Sequence, residues 1–162
     1  MALGFYFDMT SCIGCKTCQI ACKDKNDLPI GTLFRNITSY ETGEFPKPGA
    51  YHVSMSCNHC GNPACVAACA SGAMYMHEDG FVMVDAELCD GCGACVTACP
   101  YSAPKIVDGK ANKCDTCVAI RANGNDPQCV SACIMRALEF GDIADLMAAH
   151  PDAVSITELA CM

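Results

Sequence analysis

Residues 89–100 read CDGCGACVTACP, and the spacing inside this stretch decides the architecture. Cys89, Cys92 and Cys95 are separated by two residues each, Cys99 follows after three more, and Pro100 closes the run. Thiolates at i, i+3 and i+6 can wrap three corners of an iron–sulfur cube, and this run ending in Cys-Pro is one that holds [4Fe–4S] clusters. The same C-x2-C-x2-C-x3-C spacing recurs at Cys12, Cys15, Cys18 and Cys22. Two expanded versions stand at Cys57, Cys60, Cys65, Cys69 and at Cys114, Cys117, Cys129, Cys133. Sixteen of the 17 cysteines therefore fall into four groups of four. Four ligands per cluster predicts four [4Fe–4S] clusters, and a protein with four clusters is expected to move electrons.

Disulfides and zinc are the competing readings. Cysteines two residues apart make poor bridge partners, and the total is odd. Zinc modules usually present two close pairs with a long spacer, whereas two of these groups are compact triplets followed by a fourth cysteine. The second and fourth groups, with their longer insertions, fit zinc better than the other two.

Where each fourth cysteine goes follows from the helix that carries it. A helical x3 spacer sets it about 6 Å along the axis from the third, away from the cage the triplet closes. In two-cluster ferredoxins that cysteine binds the neighbouring cluster, so the groups must pair. Between Cys69 and Cys89, Ala73–His77 and Phe81–Asp85 alternate about Glu78-Asp79-Gly80 and predict a β-hairpin. A hairpin of this length joins groups two and three into one unit, leaving groups one and four to form another around it. The ligand sets are then Cys12, Cys15, Cys18 with Cys133; Cys22 with Cys114, Cys117, Cys129; Cys69 with Cys89, Cys92, Cys95; and Cys57, Cys60, Cys65 with Cys99. Sequential pairing, one with two and three with four, fits the spacing as well.

The expected fold is α+β, two ferredoxin-like units with one nested in the other. Residues 1–49 and 104–150 form the outer unit, 50–103 the inserted unit, and 151–162 a tail. Leu3–Met9 reads as a strand, Lys16–Asn26 as a helix, and Glu41–Ala50, rich in Gly and Pro, as a loop between units. Lys105–Lys113 reads as a second hairpin turning at Asp108-Gly109. Ala137–Phe140 is expected to be a strand, and Asp142–Ala149 a helix stopped by Pro151.

Composition narrows the function. The 162-residue chain carries a formal charge of -8, which disfavours nucleic acid. No segment approaches the roughly 18 apolar residues of a membrane span. The start, MALGFYFDMT, has no basic region, long apolar run or twin arginine, so no export signal of its own is expected. Tryptophan is absent and much of the 52% apolar content is Cys, Ala and Met. The clusters should therefore serve as core material, with folding coupled to their assembly.

The strings CIGCKTCQIACKDKNDL, SCNHCGNPAC, SGAMYMHEDGFVMVD, CDGCGACVTACPYSAP, KCDTC and CIMRALEFG together resemble the four-cluster electron-transfer subunits of molybdopterin oxidoreductases, dimethyl sulfoxide reductase among them. The resemblance runs from about Phe5 to Ala149. It implies the nested pairing of groups, a molybdopterin-containing catalytic partner, and a donor such as a quinol-oxidising subunit or membrane anchor. It places the Cys12 set toward the catalytic partner and the Cys57 set at the donor end. It also implies a cytoplasmic location, or a membrane-associated or periplasmic one if the partner's signal carries the protein across. Where relatives often have proline, this sequence has Ala70 after Cys69 and Ile134 after Cys133.

No nucleophile–base pair or phosphate loop accompanies the cysteines. Catalysis on substrate is expected of another polypeptide. His59 would ligate only if a thiolate were missing, and none is. Tyr101 and Pro104 are expected to pack the domain, and Cys161 to be a free thiol in the tail. All ten Lys and Arg lie outside residues 48–104. Lys16, Lys23, Lys113 and Arg136 are therefore candidates for raising the potentials of the outer pair of clusters.

Overall fold

The computed structural model describes residues 3–153. It is built from four separate two-stranded antiparallel sheets and short helices between them. Mixed helix and strand is what the spacing predicts. Strand β1 (Leu3–Phe7) pairs with β8 (Leu138–Asp142), setting Phe5 opposite Phe140. This pairing draws group one, which follows β1, to group four, which precedes β8. Helix α1 (Thr17–Lys25) carries Cys18 and Cys22 and lies against α5 (Gln128–Ser131), which carries Cys129.

The hairpin between groups two and three is present as β4 (Met74–Met76) and β5 (Val82–Val84). Flanking bonds from His77 N to Phe81 O and from Asp85 N to Ala73 O extend it at both ends. Strands β6 (Lys105–Val107) and β7 (Lys110–Asn112) form the second hairpin about Asp108-Gly109. Helix α6 (Ile143–Ala149) starts at Asp142, whose carboxylate accepts from Ala144 N at 2.9 Å. That side chain satisfies one of the amides a helix start leaves open.

The third cysteine of every group sits in the first turn of a helix, and the sequence uses two devices to start that turn. In the expanded groups Pro63 and Pro127 precede α2 (Ala64–Ala67) and α5. Their fixed φ suits a helix start, and their missing N–H is not needed there. In the compact groups Lys16 and Gly93 precede α1 and α3 (Ala94–Ala98) in the left-handed region, at φ 62° and 77°. The remaining helix, α4 (Val118–Arg121), follows Cys117.

One expectation fails. Residues 41–50 are not all loop, because β2 (Asn36–Thr42) pairs with β3 (Gly49–Met55) and only 43–48 turn. The Gly and Pro residues that suggested a loop are confined to the turn and the strand end. Tyr40 and Tyr51, stacked at 5.0 Å, hold the ladder beside it.

Sulfur fills much of the interior. One core cluster combines Cys65, Cys89 and Cys95 with Ala73, Met74, Val82 and Ala111. Another joins Cys18 and Cys129 to Ile37 and Leu138. Among the described residues no helix is long and apolar enough to cross a membrane. Cys161 and most of the expected tail lie outside the described residues.

Candidate iron–sulfur sites

All sixteen grouped cysteines carry free thiols, which sets the disulfide alternative aside. Two cavities are walled by cysteine from two groups each. One is lined by Cys69 with Cys89, Cys92 and Cys95. The other is lined by Cys57, Cys60 and Cys65 with Cys99, and by Tyr101 and Pro104. In both, the cysteine that ends one group faces the first three of the other. Helices α2 and α3 touch, and this brings the groups together.

Six of the other eight cysteines, Cys18, Cys22, Cys114, Cys117, Cys129 and Cys133, are neighbours in the region where α1 meets α5. Cys18, Cys129 and Cys133 pack in one core cluster. Burial raises the Cys18 thiol pKa, and the charges of Cys129 and Cys133 add to the rise. Burial pushes Cys22 up to about 11, with Cys129 and Cys117 contributing. Cys114 is pushed up to about 12, chiefly by burial, with Cys22 and Cys57 among its charged neighbours.

That last neighbour links the inserted unit to the outer one. Cys57 is close enough to Cys114 for the two charges to interact, and buried Lys113 acts on Cys60 and Cys65 as well. The Cys57 loop meets the outer unit through His59, whose ring touches Phe81, which in turn meets Phe140 of β8, while the Cys69 cavity touches the outer stretch only at Ala111 of β7. Sequence spacing says nothing about which end of the inserted unit meets Cys114; this neighbourhood supports the reverse of the placement the resemblance implies, with the Cys69 set rather than the Cys57 set at the donor end.

The chemistry of the walls fits a cluster better than a single ion. Zn–S bonds of about 2.3 Å would draw four sulfurs tightly around one point. Among the described residues no three His, Cys, Asp or Glu side chains converge in that way. Backbone amides already point at sulfur, as thiolate ligands require: Met74 N to Cys69 at 3.4 Å, Ala111 N to Cys89 at 3.2 Å, and Ala137 N to Cys133 at 3.3 Å. Among the described residues the buried side-chain nitrogens without a partner are Arg35 Nη2, Asn58 Nδ2 and both ring nitrogens of His59. Asn58 and His59 lie in the loop between Cys57 and Cys60, where sulfide acceptors of a cluster would accept from the Asn58 amide and from the one N–H of the His59 ring. Burial, helped by Lys113, lowers the His59 pKa to about 3, so the ring is neutral.

The four cations singled out from sequence are placed differently from one another. Lys113 is buried, donating to Val82 O and, at 3.0 Å, to Cys114 O. Lys23 binds the carbonyls of Leu28 and Pro29, while Lys16 and Arg136 are exposed. Sequence reasoning passed over Arg35, which is 3% exposed. A lone arginine within the apolar run Leu33-Phe34-Arg35-Asn36-Ile37 was its one signal.

A family model described as "4Fe-4S dicluster domain" matches residues 49–143, and a "4Fe-4S binding domain" matches residues 9–25. The sequence is 45% identical to the B component of anaerobic dimethyl sulfoxide reductase from Escherichia coli, across 96% of this protein and 81% of that one. The protein belongs to this family. The B component of polysulfide reductase from Wolinella succinogenes is 38% identical over 88% of this protein and 77% of its own length. The B component of tetrathionate reductase from Salmonella typhimurium is 36% identical over 92% of this protein and 64% of its own length. As a member of the family of the dimethyl sulfoxide reductase B component, the protein is an electron-transfer subunit with four [4Fe–4S] clusters. It is not itself the catalytic subunit.

Proposed function

We propose that the protein relays single electrons between a donor and a molybdopterin-containing catalytic subunit through four clusters held by crossed ligand sets. The sets are Cys12, Cys15, Cys18 with Cys133; Cys22, Cys114, Cys117 with Cys129; Cys57, Cys60, Cys65 with Cys99; and Cys69 with Cys89, Cys92, Cys95. The observation that carries this is the pair of cavities, each walled by three cysteines of one group and the last cysteine of the other. The neighbourhood of Cys22 with Cys117 and Cys129 supports the same crossing in the outer pair, and Cys18 has both Cys133 of its own set and Cys129 of the adjacent set beside it.

Two nested units, 1–49 with 104–150 around 50–103, are the corresponding architecture. The β6–β7 hairpin is their seam: it belongs to the outer stretch, but Ala111 packs into the inserted unit's core. Bound clusters supply reversible one-electron chemistry. The protein's part is to hold sulfur in place, keep water from the interior cavities and set the local charge.

The order of relay is the Cys12 set, the Cys22 set, the Cys57 set and the Cys69 set. The catalytic partner docks at the Cys12 end, where Met9, Ile13, Ile134 and Met135 are exposed. The donor, a membrane anchor or quinol-oxidising subunit among the candidates, meets the Cys69 end, where Cys92 and Leu88 are exposed. The location follows the partner: cytoplasmic, or across the membrane if the partner's signal carries the complex.

Serine replacements test the crossing. Cys133→Ser should perturb the EPR spectrum and midpoint of the cluster that Cys15→Ser also perturbs, and Cys22→Ser that of Cys117→Ser. If Cys133→Ser instead shares its affected cluster with Cys117→Ser, the crossed sets are wrong.

A further inference from the structure

Arg35 is a buried cation without a carboxylate. Its Nη1 donates to Ser54 Oγ at 2.9 Å, its guanidinium lies 5.2 Å from the centre of the Phe5 ring, and its Nη2 has no partner. Among the described residues the ion pairs are Lys25–Asp115, His77–Asp79 and His150–Glu139, none of them at Arg35. Guanidinium stays charged at any accessible pH. A buried charge left unpaired is strongly unfavourable, so folded proteins pair it or bring it to a counter-charge.

The neighbours identify the counter-charge. Phe5, over which the guanidinium lies, packs against the core cluster of Cys18 and Cys129, with Cys133 beside it; deprotonated as cluster ligands must be, Cys129, Cys114 and Cys18 are the charges nearest Arg35. Cys18 is in one proposed ligand set, and Cys114 and Cys129 are in the adjacent one. We infer that Arg35 is the shared counter-cation of the two outer-unit clusters and raises both of their reduction potentials. The inference rests on the ligand sets proposed above.

The direction follows from electrostatics. Each one-electron reduction adds one negative charge beside a fixed positive one and takes up no proton. The cation therefore favours the reduced member of the couple more than the oxidised one. Low local dielectric strengthens the effect relative to a surface lysine. Because the guanidinium neighbours cysteines of both sets, it shifts both couples in the same direction. Its role is positioning charge; electrons do not pass onto it.

The test is an anaerobic redox titration of the intact complex, followed by EPR, with iron and sulfide counted on each sample. Arg35→Gln retains a donor for Ser54 and removes the charge. Two of the four midpoints should fall by about tenfold in reduction equilibrium, about 59 mV for one electron, while the other two stay. Arg35→Lys should restore most of the loss. Four intact clusters with unmoved midpoints, or a shift confined to the inserted pair, would overturn the inference while leaving the cluster count of the wild type intact. If Arg35→Gln fails to load, Arg35→Lys decides: four clusters with near wild-type midpoints support the role of charge, and failure of that variant too contradicts it. A wild-type sample with fewer than four clusters would instead sink the underlying assignment.

Discussion

Gly91 illustrates how tightly single residues in the cysteine loops are constrained. It lies between Cys89 and Cys92 at φ +74°, and a Cβ there would meet Gly109 O at 2.0 Å. Backbone cannot retreat as a flexible side chain can, so Gly91→Ala adds a clash to the left-handed penalty of about 1–2 kcal/mol. We predict that this variant loses about one cluster's iron and melts earlier. Gly72→Ala is the matched control, because Gly72 has φ +71° but nothing within 4 Å of the added atom. Its iron content should stay at the wild-type level. Equal iron in the two variants would show that the Gly91–Gly109 approach is unimportant.

Asp8 gives the pH prediction at the same scale. Hydrogen bonds from Ser11 and then Thr10 hold its carboxyl at about 2. A depressed carboxylate contributes stability fully above its unfolded pKa near 3.9 and loses it as pH falls toward 2. Across pH 5–8 the stability gap between wild type and Asp8→Asn should therefore be constant. Chemical denaturation at several pH values measures it, and a gap that shrinks between pH 8 and pH 5 would contradict this reading.

At the level of elements, the β1–β8 pair and the inserted hairpin are tied by a stack of rings and cations. Phe140 meets Phe5 at 4.8 Å and Phe81 at 6.1 Å, and Arg121 lies about equally over Phe81 and Phe140, at 5.2 and 5.1 Å. Arg121 is fixed in turn by Thr116, through Nε to the carbonyl at 3.0 Å and Nη2 to the hydroxyl at 2.9 Å. Phe140→Ala should cost about 2–4 kcal/mol by losing packing and the cation–π contact. Phe140→Leu should recover most of the packing and leave the aromatic share missing. Thermal denaturation of the loaded proteins measures both, and a Phe140→Ala midpoint within a degree of wild type would contradict the stack's role.

Lys113 is the second tie between the same elements. Its ammonium bridges Val82 O on the inserted hairpin and Cys114 O in group four. Hydrogen bonds to a charged group contribute about 1.5–3 kcal/mol each, so Lys113→Met should loosen the seam. Faster amide exchange at β4–β5 and around Cys114, with the β1–β8 ladder less affected, is the expected pattern. Uniform exchange rates in wild type and variant would rule out a bridging role.

Across the whole molecule, what was legible in sequence is what is encoded locally. Cysteine spacing, the Asp79-Gly80 and Asp108-Gly109 turns, and the Asp142 helix start are set by neighbours a few residues away, and each stands where the pattern put it. Long-range features were hidden. Arg35 reaches Ser54, 19 residues on, and Cys129 much further, so nothing near it in sequence marks a charge held among thiolates. The β2–β3 hairpin was obscured because Pro46, Pro48 and Gly43 in its turn outweighed the strand residues on either side. The end of the inserted unit that meets Cys114 depends on how two folded pieces dock, a property no spacing records.

The central claim is that sixteen thiolates hold four cubane clusters that exchange electrons. Its most direct measurement is a reductive titration of the oxygen-protected complex, combined with iron and sulfide analysis. The claim predicts four one-electron uptakes assigned to this protein, about sixteen iron and as much acid-labile sulfide, and spin coupling between neighbouring reduced clusters. A protein holding zinc without sulfide, or four clusters whose EPR signals show no coupling to one another, would contradict it.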